Sequence, residues 1–230
     1  PMLIKRFEIN DVIVTQHSAK VAKMRSILDF LEQFPVRARI LPSVTSLADG
    51  RYLVKMVREV DIGDLLGRDM VEADPDLLGR CVTGKSVLVT GAGGSIGSEL
   101  CRQIMALGPS RLVLLEANEF ALYQIERALH APEGTLLVPV LGSVKDKGLV
   151  SQLFAEHGVQ TVYHAAAHKH VPLVEGNVVE GACNNVLGTM ILARAAYDAG
   201  VKTFVLISTD KAVRPTNVMG ATKRWAELVV

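Results

Sequence analysis

The chain has 230 residues, 49% hydrophobic and 21% charged, a composition that suits one large globular domain or two small ones and excludes a disordered segment. Its 25 lysines and arginines nearly cancel its 24 aspartates and glutamates, so there is no basic field to draw nucleic acid or an anionic membrane surface. Cys81, Cys101 and Cys183 are odd in number, widely spaced and without a C-x-x-C pair, which argues against a disulfide framework or structural zinc and fits a reducing cytoplasm.

No apolar run approaches a membrane span, and the first residues lack the pattern of a signal peptide. The chain opens on Pro1 and stops at Val230 inside a helical pattern with no capping residue, so a piece of a longer protein is expected.

Asp11 to Thr15 reads as a strand. Ser18 follows as an N-cap, and Val21, Met24, Ile27, Leu28 and Leu31 share one helical face up to Pro35. Val36 to Leu41 is a second strand, so residues 1–45 read as a β-α-β fragment. Residues 46–84 lose any sustained period and read as a linker with short helices. From residue 85 the pattern is regular. Strands are expected at 86–90, 111–116, 135–140, 161–164 and 202–207, and helices at 95–107, 118–129, 144–157, about 185–199, and from Met219 onward. Strands alternating with helices imply an α/β fold with a doubly wound parallel sheet, a Rossmann fold, preceded by the partial second Rossmann-like fragment.

Thr90-Gly-Ala-Gly-Gly-Ser-Ile-Gly97 follows a Val/Leu strand and opens a helix, the context of a dinucleotide fingerprint. Gly91 permits the tight turn, Gly94 lets backbone approach a pyrophosphate, and Gly97 allows close helix-to-strand packing, with Gly93, Ser95 and Ile96 completing the loop. Glu116 ends the next strand about 20 residues on, where a carboxylate accepts from ribose hydroxyls and repels a 2′-phosphate, so NAD is expected rather than NADP. Past the fourth strand, Ala165 and Ala166 let a flat cofactor lie against the backbone. His164, His168 and His170 have the composition of a metal site, but no helix is evident to bring them to one face, and lining of the cleft is expected instead of metal. Thr209, Asp210 and Lys211 then stand just past the last strand, where open α/β sheets bind ligands. Asp210 and Lys211 also fit a plain strand-end ion pair.

Thr90-Gly-Ala-Gly-Gly-Ser-Ile-Gly97, His164-Ala-Ala-Ala-His-Lys-His-Val-Pro-Leu-Val-Glu175, Ser208-Thr-Asp-Lys211 and Pro215-Thr-Asn-Val-Met-Gly-Ala-Thr-Lys-Arg224 together resemble the polysaccharide biosynthesis nucleotide-sugar 4,6-dehydratases, extended short-chain dehydrogenase/reductases. The resemblance covers about residues 84–230, and Val60 to Pro75 is similar to the linker of the long, membrane-anchored members. It implies an NAD-dependent lyase acting on a UDP-N-acetylhexosamine, most often UDP-N-acetylglucosamine, by oxidation at carbon 4, elimination of water across carbons 5 and 6, and reduction at carbon 6.

By the same resemblance, Thr209 meets the sugar's 4-oxygen, Asp210 is the general acid for the departing 6-hydroxyl, Lys211 is the base at carbon 5, and Lys223 holds the nicotinamide ribose. His168, Lys169 and Asn217 are expected on the substrate side. Gly142-Ser143 stands where relatives have Gly-Asp at the adenine, so the Ser143 hydroxyl serves more weakly. Met219 stands where the wider superfamily has a tyrosine base, as in the long members of this family, and a relay from Thr209 to Asp210 or Lys211 is expected to replace it.

The domain reading is the tail of an N-terminal Rossmann-like domain in 1–45, a linker in 46–84, and an NAD-binding catalytic domain in 85–230 that stops before the substrate-binding lobe. The parent is expected to be homo-oligomeric and to sit at the cytoplasmic face of a bacterial inner membrane, with no membrane contact by this piece. A nucleotide-sugar 4-epimerase or 4-dehydrogenase, or a non-catalytic NAD-binding module, would share the glycine loop and Lys223 but has no need of the Asp210–Lys211 pair.

Overall fold

A computed structural model of the chain describes residues 74–230 continuously, together with residues 4, 9–14, 27, 30, 31, 34, 36–40, 58 and 59. The chain divides into the units Pro1–Glu72 and Ala73–Val230.

In the first unit, β1 (Asp11–Val14) pairs in parallel with β2 (Arg37–Ile40), and β3 (Arg58–Glu59) adds antiparallel to β2. Parallel neighbours need a crossover connection, which suits the expected β-α-β fragment. Ile27, Phe30 and Leu31 are helical; the rest of the helix expected from Ser18 lies outside the described residues. So do residues 41–57 and 60–73, which hold most of the expected linker. β3 escapes sequence reading because two residues carry no period.

The second unit opens with α1 (Pro75–Arg80) and then alternates: β4 (Ser86–Thr90), α2 (Ser95–Ala106), β5 (Arg111–Glu116), α3 (Glu119–Ala128), β6 (Leu136–Leu141), α4 (Lys147–His157) and β7 (Thr161–His164). The short helices α5 (Val171–Gly176) and α6 (Val178–Ala182) follow, then a π turn (Cys183–Leu187), α7 (Gly188–Asp198), β8 (Thr203–Leu206), a 3-10 turn (Asp210–Ala212) and α8 (Val218–Val229). The sheet order is β6-β5-β4-β7-β8, with every pair parallel. Strand order reverses between β4 and β7, which opens a crevice at their carboxyl ends. This is the doubly wound Rossmann sheet expected from the sequence.

Alternation along the strands builds a core on each face. Val87, Val89, Leu112 and Leu114 point to one side and pack on Cys101, Ile104 and Met105 of α2 and Leu122 and Ile125 of α3. Leu88, Val113, Leu115 and Val162 point to the other and meet Val150, Leu153 and Phe154 of α4 and Leu192 and Ala196 of α7. All five residues of β4 are buried, as a central strand requires. Pro139, which has no N–H to donate, lies in the edge strand β6.

The structure differs from the sequence expectation at residues 171–187. The helix expected from about Asn185 begins earlier, at Val178, and the backbone stays helical through Cys183 and Gly188 into α7. Gly181 and the Asn184-Asn185 pair lower helix propensity there, and exposed Val178 and Val179 blur the apolar stripe. A Cβ at Gly181 would lie 2.6 Å from Val174 Cγ1, so the glycine lets α5 and α6 fold against each other.

Candidate active site

β4 leads into α2 through residues 91–94, a turn in which Gly91 and Gly93 have no room for a Cβ. Gly91 has φ 65°, and a Cβ on it would come within 2.7 Å of the Ala166 nitrogen. A Cβ on Gly93 would meet Ala121 Cβ at 2.5 Å, and one on Gly97 would meet the Gly91 carbonyl oxygen at 2.0 Å. α3, α4 and α8 each begin under a side-chain cap, from Asn118, Asp146 and Asn217. α2 begins at Gly94 without one, which leaves its first N–H groups to an anion.

The Glu116 carboxylate shapes this turn from the side. Its Oε2 accepts from the Gly93 N–H at 2.9 Å and its Oε1 from the Asn118 N–H at 3.0 Å. Each oxygen keeps a lone pair for a further donor such as a ribose hydroxyl. Gly91, Gly93, Gly94, Glu116, Gly142, Ser143, Ala165, Ala166 and His168 come together around a cavity of about 280 Å³. A second cavity of about 410 Å³ shares Gly94, Ala165 and His168 with it and adds Ser95, Ile96, Gly97 and Lys169. The Ser143 hydroxyl accepts from the Lys145 N–H at 3.2 Å, so it is partly committed to its own loop.

Of His164, His168 and His170, His164 does not line the cleft. It is 1% exposed, with Thr90 Oγ1 2.7 Å from Nδ1 and Thr189 Oγ1 2.9 Å from Nε2. Thr189 donates its proton to the Asn185 carbonyl at 2.6 Å, so Nε2 carries the imidazole hydrogen and Nδ1 accepts from Thr90. Burial, then the charge of Lys223, lowers the His164 pKa from 6.5 to about 3. The unfolded chain therefore binds a proton that the folded one refuses. This contribution to stability is complete above pH 6.5 and is lost as the pH falls toward 3. Stability measured by denaturant titration should fall by up to about 1.4 kcal/mol per pH unit across that window, and His164→Asn should flatten the slope.

Asn185, in the π turn, is 1% exposed and fastens the cleft wall. Its Oδ1 accepts from the His168 N–H at 2.8 Å, while its Nδ2 donates to the His168 carbonyl and to Thr222 Oγ1, each at 3.0 Å. One side chain thus ties the loop after β7 to α8. Asn185→Ala would take a partner from the buried Thr222 hydroxyl and from the part-buried His168 backbone groups, at an expected cost of about 2 kcal/mol, read as a lower urea midpoint with unchanged m-value. Asn185→Asp, which cannot donate, should be no better.

The reactive triplet lies at the carboxyl end of β8. Thr209 Oγ1 donates to Asp210 Oδ1 at 2.9 Å, and Lys211 Nζ is 3.8 Å from the same oxygen. The Asp210 side chain is 91% exposed. The Thr209 hydroxyl, then the Lys211 ammonium, hold its carboxyl below the usual aspartate range. Lys223 is buried and donates to the Ile207 carbonyl at 2.7 Å, and burial lowers its pKa. Met219, one turn earlier on the same helix face, is 2% exposed and offers no proton acceptor. Asn217 caps α8 through the Gly220 N–H at 2.7 Å. Thr209, Asp210, Lys211, Met219, Asn217 and Lys223 thus gather around the start of α8 and do not line the two cavities above. Among the described residues no group of three or more metal-ligating side chains comes together, and no helix is long and apolar enough to cross a membrane.

The model of the polysaccharide biosynthesis protein family matches residues 87–230. The chain belongs to this family. Over 232 residues it is 42% identical to the capsular polysaccharide biosynthesis protein CapD of Staphylococcus aureus, covering 100% of this chain and 39% of CapD. It is 34% identical over 140 residues to a UDP-N-acetylglucosamine 4,6-dehydratase (inverting) of Campylobacter jejuni, covering 60% of this chain and 40% of that enzyme. The crystal structure of DesIV, a dTDP-glucose 4,6-dehydratase of Streptomyces venezuelae with NAD and TYD bound, matches with TM-score 0.56 and 27% identity over 63% of this chain and 50% of that chain. The chain therefore spans about two fifths of the length of these curated relatives.

In this family member, sequence reading passed over several residues that hold the site together. Thr90, Asn185 and Thr189 are buried polar groups inside apolar elements, a pattern that signals an internal network once noticed. Glu175 accepts from the Val218 N–H at 2.7 Å and so fixes the start of α8. Nothing local marks Glu175, because its partner is distant in sequence.

Proposed function

We propose that this chain is the cofactor-binding and catalytic part of a nucleotide-sugar 4,6-dehydratase acting on UDP-N-acetylglucosamine in surface polysaccharide biosynthesis. The observation that carries this reading is the triplet at the end of β8: a threonine hydroxyl already bonded to an ionised aspartate, with a lysine beside them. NAD is the cofactor. The glycine-rich turn, the uncapped start of α2 and the Glu116 carboxylate all fit it, and Glu116 disfavours a 2′-phosphate. When bound, NAD supplies the reversible oxidation at carbon 4.

The residues of the chain divide the proton transfers. Thr209 accepts the proton of the sugar's 4-hydroxyl and hands its own to Asp210, the role that the Met219 thioether cannot fill. The Thr209 hydroxyl and the Lys211 ammonium keep Asp210 ionised, and the Thr209–Asp210 hydrogen bond gives that proton its path. Cover by a sugar nucleotide then removes water from the carboxyl and raises its pKa, so Asp210 returns the proton to the departing 6-hydroxyl. Lys211 takes the carbon-5 proton and later restores it. Asp210 and Lys211 finish in the states in which they began, and one water leaves. Lys223 holds the nicotinamide ribose, and His168, Lys169 and Asn217 face the substrate.

The longer parent is read as a homo-oligomer anchored at the cytoplasmic face of a bacterial membrane, with residues 1–45 ending a preceding Rossmann-like domain. The test is incubation of the full-length protein with UDP-N-acetylglucosamine, followed by mass spectrometry. A product lighter by one water is expected. An isomer of unchanged mass would make the protein an epimerase, and binding of NAD without turnover of any UDP-sugar would leave a binding module.

A further inference from the structure

One face of α8 is laced to the reactive loop along its length. A Cβ on Gly220 would lie 2.2 Å from the Lys211 carbonyl oxygen, so helix and loop backbones touch there. One turn on, Lys223 donates to the Ile207 carbonyl at 2.7 Å. A further turn on, Glu227 Oε1 accepts from the Ser208 hydroxyl, and its Oε2 pairs with Arg224 at 2.8 Å. Positions 220, 223 and 227 follow the i, i+3, i+7 spacing of a single helix face. Their partners at 211, 207 and 208 bracket Thr209 and Asp210. The helix itself is fixed at its start by Glu175 and in its first turns by the Asn185–Thr222 bond.

We infer that Glu227 is a positioning residue of the reaction, holding Thr209 and Asp210 in register with Lys223 through its bond to Ser208. A carboxylate suits this place better than a neutral group for two reasons. A hydroxyl donates more strongly to an ionised acceptor than to an amide, and Ser208, then Arg224, keep the Glu227 carboxyl ionised. Its charge also opposes the effect of burial on Lys223. The titratable groups that reach Lys223 are Glu227 on its own helix and His164 on β7. His164 is neutral, so Glu227 is the negative charge in that set.

The kinetic half of the test rests on the dehydratase reading, and the exchange half does not. In the full-length protein without ligand, Glu227→Ala should speed hydrogen–deuterium exchange of the peptide spanning residues 207–213 about tenfold or more, while the strands β4 and β5 keep their protection. With UDP-N-acetylglucosamine, Glu227→Gln should lower kcat about tenfold at unchanged KM and unchanged NAD affinity. It should also move the alkaline limb of kcat to lower pH, because Lys223 loses its counter-charge. Ser208→Ala should lower kcat comparably, and the double variant Ser208→Ala/Glu227→Gln should be no worse than Glu227→Gln alone. Unchanged exchange at 207–213 in Glu227→Ala would overturn the tether whatever the substrate proves to be. An unshifted pH profile, or losses that multiply in the double variant, would overturn the catalytic role and leave a structural cap. If the wild-type protein turns over no UDP-sugar, the dehydratase reading fails on its own and the exchange result still decides the tether.

Discussion

Asp210→Asn should lower turnover by roughly 10²- to 10⁴-fold, the span of general acid–base catalysis, without moving the melting temperature. The substitution is nearly isosteric, and the side chain is 91% exposed, with Thr209 and Lys211 as its partners. Asparagine still accepts the Thr209 hydroxyl but takes up no proton. The informative measurement is which step stops. If Asp210 collects the 4-hydroxyl proton through Thr209, then mixing Asp210→Asn with substrate should give no accumulation of reduced cofactor. If Asp210 serves as acid alone, the reduced form should build up at the wild-type rate, because oxidation proceeds and elimination does not. The second outcome would remove the relay and reopen the question that Met219 poses, since that side chain is buried and carries no acceptor. Lys211→Ala makes the comparison complete: it should stop elimination and permit oxidation.

The sequence makes the scaffold legible because the five-stranded sheet is built from local signals. Val and Leu runs bounded by turn residues set each strand, and helix starts at Asn118 and Asp146 carry their caps in the sequence itself. The glycine turn, Glu116 and the triplet are also local, each lying at a strand end. Illegible were the contacts that join distant segments. His164 looked like a cleft residue because it neighbours His168 in sequence, yet it ends a central strand and its side chain turns into the core, where Thr90 and Thr189 are waiting. Asn185 looked like an ordinary first residue of a helix. The π turn instead directs its amide at the His168 backbone and Thr222, and π turns of this kind recur at functional sites. Periodicity reports which face is buried; it cannot report which two buried polar groups meet.

Gly97→Ala and Gly148→Ala test that distinction on two glycines that look alike in sequence. Each sits in the first turn of a helix, Gly97 in α2 and Gly148 in α4. Helix propensity alone predicts that alanine stabilises both by about 0.5–1 kcal/mol. At Gly148 the nearest atom to a new Cβ is Asp146 Oδ1 at 3.4 Å, ordinary contact, so the propensity gain should appear. At Gly97 the new Cβ meets the Gly91 carbonyl oxygen at 2.0 Å and carbon at 2.8 Å, both backbone atoms that cannot rotate away. Relief requires α2 to back off the turn, at an overpacking cost of about 3 kcal/mol, a fall of roughly 6–12 °C in thermal midpoint. The same displacement draws the uncapped N–H groups of α2 away from the Glu116 side of the cleft, so NAD affinity should fall at least tenfold while Gly148→Ala binds as wild type. Calorimetric melting and NAD titration of both variants decide it. Equal melting points with equal affinity would mean that the close approach of α2 to Gly91 is dispensable, and with it the reason for glycine at 97.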